Sequence, residues 1–234
     1  MRYHALACDY DSTLATNGRV AAPVLDAIRR LKESGRATIL VTGRSLDDLL
    51  AIFPGIGIFD RVVAENGGVL YRPATKETRL LGEAPPPSFL RRLRSFGVAP
   101  LDRGRVIVAT REPHEGAVVA AIRDLGLELH VVFNRGAVMI LPSGVNKATG
   151  LSAALSELRL SPRHVVGVGD AENDHSFLDL CECAVAVENA LPVVKERSDW
   201  VTEGPDGAGV IELVDRLLRT DLAEVSRGSR KSSE

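Results

Sequence analysis

Four short apolar runs constrain this chain more than any other feature: YHALACD (3–9), RATILVTG (36–43), DRVVAENGG (60–68) and RHVVGVGD (163–170). Each is nearly continuous in apolar residues and closes on polar or acidic ones, as strands buried on both faces do. Between the first two lies APVLDAIRRLKESG. Its Val24, Leu25, Ile28 and Leu31 share one helical face, with Pro23 near the start and Gly35 at the end. Between the second and third, SLDDLLAIF opens on Ser45, a capping residue, with Asp47 and Asp48 in the first turn. Strand, helix, strand, helix, strand predicts an α/β chain with a parallel sheet and crossover helices.

The pattern breaks at EAPPPSFL, where three consecutive prolines exclude regular structure and mark a hinge or linker. Beyond it come a helix over SFLRRLRSFG, a strand near RVIVAT and a helix over EPHEGAVVAAIRDLG. Two strands follow, LELHVVF and AVMILP, separated by the turn at Asn134 to Gly136. Adjacent strands joined by a tight turn predict a small antiparallel α+β module. After PSGVNK the first pattern resumes and runs to AGVIELVDRLLR. The chain thus divides into a core in two parts, residues 1–83 and 145–219, an inserted domain at 84–144, and a polar tail at 220–234 whose composition predicts disorder.

Composition removes several function classes. The 234 residues are 45% hydrophobic and 26% charged, an ordinary globular balance. The net charge of −2 carries no electrostatic footprint for nucleic acid or an anionic membrane. No apolar run approaches the roughly 20 residues that span a bilayer, and the opening apolar stretch is too short for a signal peptide. Cys8, Cys181 and Cys183 form no disulfide framework, so reduced thiols in a cytoplasmic protein are expected.

In open parallel sheets, ligands bind beyond the carboxyl ends of the strands. The first run delivers Asp9, Asp11, Ser12 and Thr13 there; the second, Thr42, Gly43 and Arg44; the third, Glu65 and Asn66. The fourth delivers Asp170, with Asn173 and Asp174 just beyond, and Lys147 opens the helix before it. Asp9 and Asp11 point the same way if the strand continues to Asp11. Two like charges that close repel, so they either lie on a solvated turn or hold a cation. Asp9, Asp11 and Asp170 offer the hard oxygen ligands that suit Mg²⁺. A carboxylate such as Asp9 is a competent nucleophile toward phosphorus, and Asp11 is placed to protonate a leaving oxygen. Thr42, its neighbouring amides and Lys147 would hold charge gathering on the phosphoryl oxygens. Each fragment alone is compatible with a capped or solvated turn. Four in one order, each at a strand end, carry the chemistry.

DYDSTL resembles the D-x-D-x-T motif of the haloacid dehalogenase (HAD) superfamily, and VTGR resembles its second motif. GVNKATGL is similar to the lysine motif and GVGDAENDHSFL to G-D-x-x-N-D, in the family's order. The insertion, between the third strand and the lysine motif, resembles a C2 cap of the smaller type IIB, or Cof-like, kind. The resemblance implies a Rossmann-like parallel-sheet core with a small α+β cap. It also implies a Mg²⁺-dependent phosphatase acting on a small phosphorylated metabolite, such as a sugar phosphate or phosphoglycolate, through an aspartyl-phosphate.

By the same resemblance Asp9 would be nucleophile and metal ligand. Asp11 would be acid/base, ligating the metal through its backbone carbonyl. Thr42 and Gly43 would hold the phosphate, Lys147 would bridge phosphate and nucleophile, and Asp170 would complete the metal site. Asn173 would contact phosphate, and Asp174 would orient the metal's waters or Lys147. Arg44 and Asn66 would lie near phosphate or substrate. Ser12 stands where many members have glycine, and the acid at position 11 argues against halide displacement. Arg135, in the cap hairpin, is a candidate for substrate contact, and Glu65 reads as a turn acid. A phosphomutase of the phosphomannomutase type would use the same groups. A phospho-accepting signalling domain would share the acids and the lysine, but not the cap or GDAEND. Monomer and dimer both stay open.

Overall fold

A computed structural model describes residues 1–225. The apolar runs form β1 (Ala5–Asp9), β2 (Ala37–Val41) and β3 (Arg61–Ala64), with α1 (Ala22–Glu33) and α2 (Leu46–Ile52) as crossovers. A hairpin, β4 (Val69–Arg72) and β5 (Glu77–Leu80), follows at once. The inserted domain contains α3 (Pro87–Ser95), β6 (Asp102–Arg103), β7 (Val108–Arg111), α4 (Glu115–Leu125), β8 (Leu129–Asn134) and β9 (Ala137–Pro142). The core then resumes with α5 (Lys147–Leu158), β10 (Val165–Gly169), α6 (His175–Leu180), β11 (Cys183–Ala186), α7 (Pro192–Glu196), β12 (Trp200–Val201) and α8 (Asp206–Thr220).

The core sheet has the order β12-β11-β10-β1-β2-β3-β4-β5. It is parallel from β12 to β3 and antiparallel in its last two pairings. β1 and β10, side by side at the middle, are buried throughout, which is why both read as unbroken apolar runs. The β4–β5 hairpin escapes a reading based on apolar runs because β5 (ETRL) is largely exposed and polar, as a sheet edge commonly is.

The cap sheet is antiparallel in the order β6-β7-β9-β8. One face packs under α3 and α4 through Phe89, Leu93, Val108, Val118, Val138 and Ile140. The alternate positions, Ile107, Met139 and Leu141, turn the other way. β6 is two residues long, too short for any periodicity to reveal. The two segments joining cap to core lie against each other: a Cβ on Gly82 would stand 2.8 Å from Val145 Cγ2 and 3.3 Å from Pro142 Cγ.

α5 begins with a reciprocal cap. The Asn146 side chain accepts from the Thr149 amide, and Thr149 Oγ1 accepts from the Asn146 amide. The helix is seated on the β3–β4 loop by direct backbone contact. A Cβ at Gly67 (φ +105°) would stand 1.9 Å from Asn146 O, and one at Gly150 would stand 2.7 Å from the Gly67 Cα.

Residues 220–225, expected as the start of a disordered tail, are docked on the core. Leu222 is fully buried in the core, and Asp221 accepts from Arg36 Nη2 at 2.9 Å. Leu222 and Val225, packed against the core, and the Asp221 carboxylate dock this stretch. Residues 226–234, the rest of the expected disordered tail, lie outside the described residues. Among the described residues no helix is long and apolar enough to cross a membrane.

Candidate active site

β1 ends at Asp9, so Asp9 and Asp11 do not share a strand face. The turn that follows carries Ser12 at φ +57°, a left-handed conformation that glycine adopts freely and serine adopts at a cost. The two acids part company there. The buried Asp9 carboxylate joins Asp170 and Asp174, whose ligand oxygens all lie within 4.8 Å of one another. Asp11 is gripped by Arg44 instead, Nε to Oδ2 and Nη2 to Oδ1, both 2.7 Å.

Lys147 is buried at the first position of α5. Its Nζ donates to Asp9 Oδ1 and Asp174 Oδ1, each at 2.5 Å. Asp174 Oδ2 accepts from the amides of Asp170 (2.8 Å) and Ala171 (3.1 Å), which folds the loop after β10 around it. Asp170 Oδ1 accepts from Thr13 Oγ1 at 2.9 Å. Its Oδ2 accepts from Arg135 Nη2 of the cap at 2.6 Å. Asp9 Oδ2 accepts no hydrogen bond among the described residues.

Burial, and next the charge of Asp174, push the Asp9 carboxyl well above the usual carboxylate range, and they raise Asp170 as well. Burial alone would lower the Lys147 ammonium, but Asp174 and Asp9 together carry it above its ordinary value. Three buried acids of hard oxygen type, mutually repelling around one buried lysine, fit a divalent cation such as Mg²⁺ by donor chemistry and by charge.

The remaining candidates arrange themselves around this cluster. The Thr42 amide donates to Val63 O, so it serves the sheet, while its hydroxyl accepts from the Arg44 amide. Arg44, expected near the phosphate, is held by Asp11 and by Asp48 at 2.6 Å. Asn66, at φ +52°, accepts through Oδ1 from Asn173 Nδ2 at 3.2 Å and so orients Asn173 from behind. A cavity of about 530 Å³ lies between these strand ends and the cap. Asp9, Asp11, Gly43, Arg44, Asp170 and Asn173 line its core side, with Ile107, Ala109, Arg111, Asn134, Arg135, Ala137 and Met139 opposite. Thr42, Asn66, Lys147 and Asp174 stand behind that lining.

Glu65 has a larger part than that of a turn acid. It is fully buried at φ +54°, and its carboxylate accepts three backbone amides of the cap: Arg105 at 2.9 Å, Val106 at 2.7 Å and Ile107 at 3.0 Å. Gly104 permits the approach, since a Cβ there would stand 2.5 Å from Glu65 Oε2. The only sequence signal was an acid in an apolar run before Asn-Gly-Gly; its partners lie some forty positions downstream. Glu65→Gln leaves one acceptor oxygen where two served, and it sets an amide NH₂ against a backbone N–H. The expected cost is about 1–3 kcal/mol of unfolding free energy in urea titrations. An unchanged midpoint would remove Glu65 from the cap contact.

A sequence model of haloacid dehalogenase-like hydrolases matches residues 6–83 and 107–214. The phosphoglycolate phosphatase of Methanothermobacter thermautotrophicus is 33% identical over 222 residues, covering 92% of this chain and 98% of that one. The phosphoglycolate phosphatase of Haloarcula marismortui is 34% identical over 222 residues, covering 89% and 95%. Among solved structures, a HAD/COF-like hydrolase from Plasmodium vivax shares the fold at a TM-score of 0.80, with 19% identity, over 93% of this chain and 96% of that one. The matched segments hold every strand end that meets at the acidic cluster, and this chain belongs to the haloacid dehalogenase-like hydrolases.

Proposed function

We propose that this hydrolase is a phosphatase that forms a transient aspartyl-phosphate, an acyl phosphate, on Asp9, with Mg²⁺ held by Asp9 and Asp170. The observation that carries the reading is the setting of Asp9: Lys147 holds one oxygen and nothing among the described residues holds the other, on the wall of the cavity between core and cap. The Asp9 Oδ2–phosphorus bond would form as the phosphorus–alkoxide bond breaks. Asp11, kept at the rim by Arg44, would protonate the departing oxygen and then take a proton from the water that attacks the phosphoryl group on Asp9. The Gly43 amide, the Thr42 hydroxyl, Asn173 and Lys147 would receive the phosphoryl oxygens. Bound Mg²⁺ would offset the negative charge gathered between the acids and the phosphoryl group. The resemblance adds the Asp11 backbone carbonyl to its ligands. Asp174, whose oxygens serve Lys147 and two amides, would keep the set in place.

The relatives named phosphoglycolate phosphatase make phosphoglycolate the first ester to try. Phosphate release is measured over a panel of phosphorylated metabolites with Mg²⁺ and with EDTA. Expected are turnover of phosphoglycolate, a loss of at least about 100-fold in EDTA, and recovery with Mg²⁺. Full activity in chelator would overturn the metal assignment. A positional isomer appearing in place of free phosphate would make the protein a mutase.

A further inference from the structure

Two rows of side chains cross the cavity face of the cap sheet. Directly opposed residues of an antiparallel ladder share a face. The register therefore sets Asp102, Ala109, Met139 and Val132 in one row, and Arg111, Ala137 and Asn134 in the next. Met139 meets the core, its Sδ standing 3.3 Å from where a Cβ on Gly43 would be. The second row stands two residues back along β9, about 7 Å from Met139.

The second row has the make-up of a ligand subsite. Arg111 lines the cavity, and its guanidinium has no carboxylate partner and no acceptor among the described residues. Arg44 and Arg135, by contrast, are engaged by Asp11, Asp48 and Asp170. Arg103 also lines the cavity, from the edge strand opposite Val108 and outside the second row. Asn134 Oδ1 is buried with no partner, and turning the carboxamide over brings its Nδ2, a donor, to the same spot. Ala137, between them, contributes only a methyl group, so the row reads guanidinium, gap, carboxamide. Asp102, at the head of the other row, would repel an anion over Ala109 and leaves the Arg111 end as the place for one.

We propose that Arg111 and Asn134 form a subsite for a carboxylate on the leaving group, so that the cap selects phosphomonoesters of short hydroxy acids. A guanidinium takes a carboxylate through two parallel N–H bonds, and the Asn134 amide would donate to its remaining lone pairs. A cavity of about 530 Å³ suits a small acid, and a neutral alcohol would leave nothing to satisfy Arg111. This deepens the phosphatase reading and rests on it.

The test compares phosphoglycolate with ethyl phosphate, which has the same carbon count and no carboxylate, by phosphate release with Mg²⁺. The readout is the ratio of the two kcat/KM values. Arg111→Met should lower that ratio by about 10- to 100-fold, mainly through KM for phosphoglycolate, and Arg111→Lys should recover part of it. Asn134→Asp, nearly isosteric, should lower it too by adding a like charge. Ratios that stay constant in all three variants, or a wild-type enzyme that does not favour phosphoglycolate, would overturn the subsite and leave the phosphatase reading standing. If the wild type releases phosphate from no ester, the phosphatase reading fails and the subsite with it.

Discussion

Asp9→Asn is expected to abolish phosphate release, by a factor of at least about 10⁴, while making the metal-free protein more stable. The first effect follows because an amide is a poor nucleophile. The second follows from the electrostatics of the cluster. Burial and the Asp174 charge hold the Asp9 carboxyl above its unfolded range. A group raised in this way favours the fold while protonated, and that contribution disappears as pH rises through its folded value. At neutral pH and above, the ionised form therefore works against the fold. Asparagine is neutral at every pH, and Lys147 still keeps Asp174 as a partner. The gain should be on the order of 1 kcal/mol, or about 2–4 °C in Tm, in EDTA at pH 8, and should shrink toward pH 4. An asparagine variant that melts lower than wild type at pH 8 in EDTA would show that Lys147 attracts Asp9 more than its neighbours repel it.

Lys147→Met should be equally inactive and should move stability the opposite way. The methionine matches the lysine stem in length, so packing is nearly preserved. What is lost is the one buried cation between Asp9 and Asp174. Removing one partner of a buried charge pair typically costs about 3–5 kcal/mol, on the order of 10 °C for a chain of this size. Adding Asp174→Asn should return part of that stability with no return of activity. A single variant within about 1 kcal/mol of wild type would show that these acids protonate or hydrate readily once the ammonium is gone.

The sequence made the parallel core legible because its strands are buried on both faces and interrupted by helices of clear period. β1, β2 and β10 could hardly be read otherwise. It made Asp9, Asp170 and Asp174 legible because chemistry-bearing residues fall at or just beyond successive strand ends, and Lys147 because it opens the helix that leads into β10. The β4–β5 hairpin stayed hidden because its outer strand is polar, and β6 because two residues have no pattern. The grip of Arg44 on Asp11 was missed because pairing between strand ends depends on side-chain reach, which spacing does not report. Glu65 was misjudged for the same reason at greater range: its partners are backbone amides of another domain, and backbone amides leave no trace in residue identity.

Glu65, Asn66 and Gly67 are consecutive, all at positive φ, and each faces a different component. Glu65 clasps the cap turn, Asn66 steadies the amide of Asn173, and Gly67 is the seat on which the lysine helix rests. Three tethers converge on a span shorter than one helical turn. A cap that lifts away must tug on the same hinge pin that sets the lysine and the asparagine, so shutting the chamber and aligning its working groups become a single mechanical event.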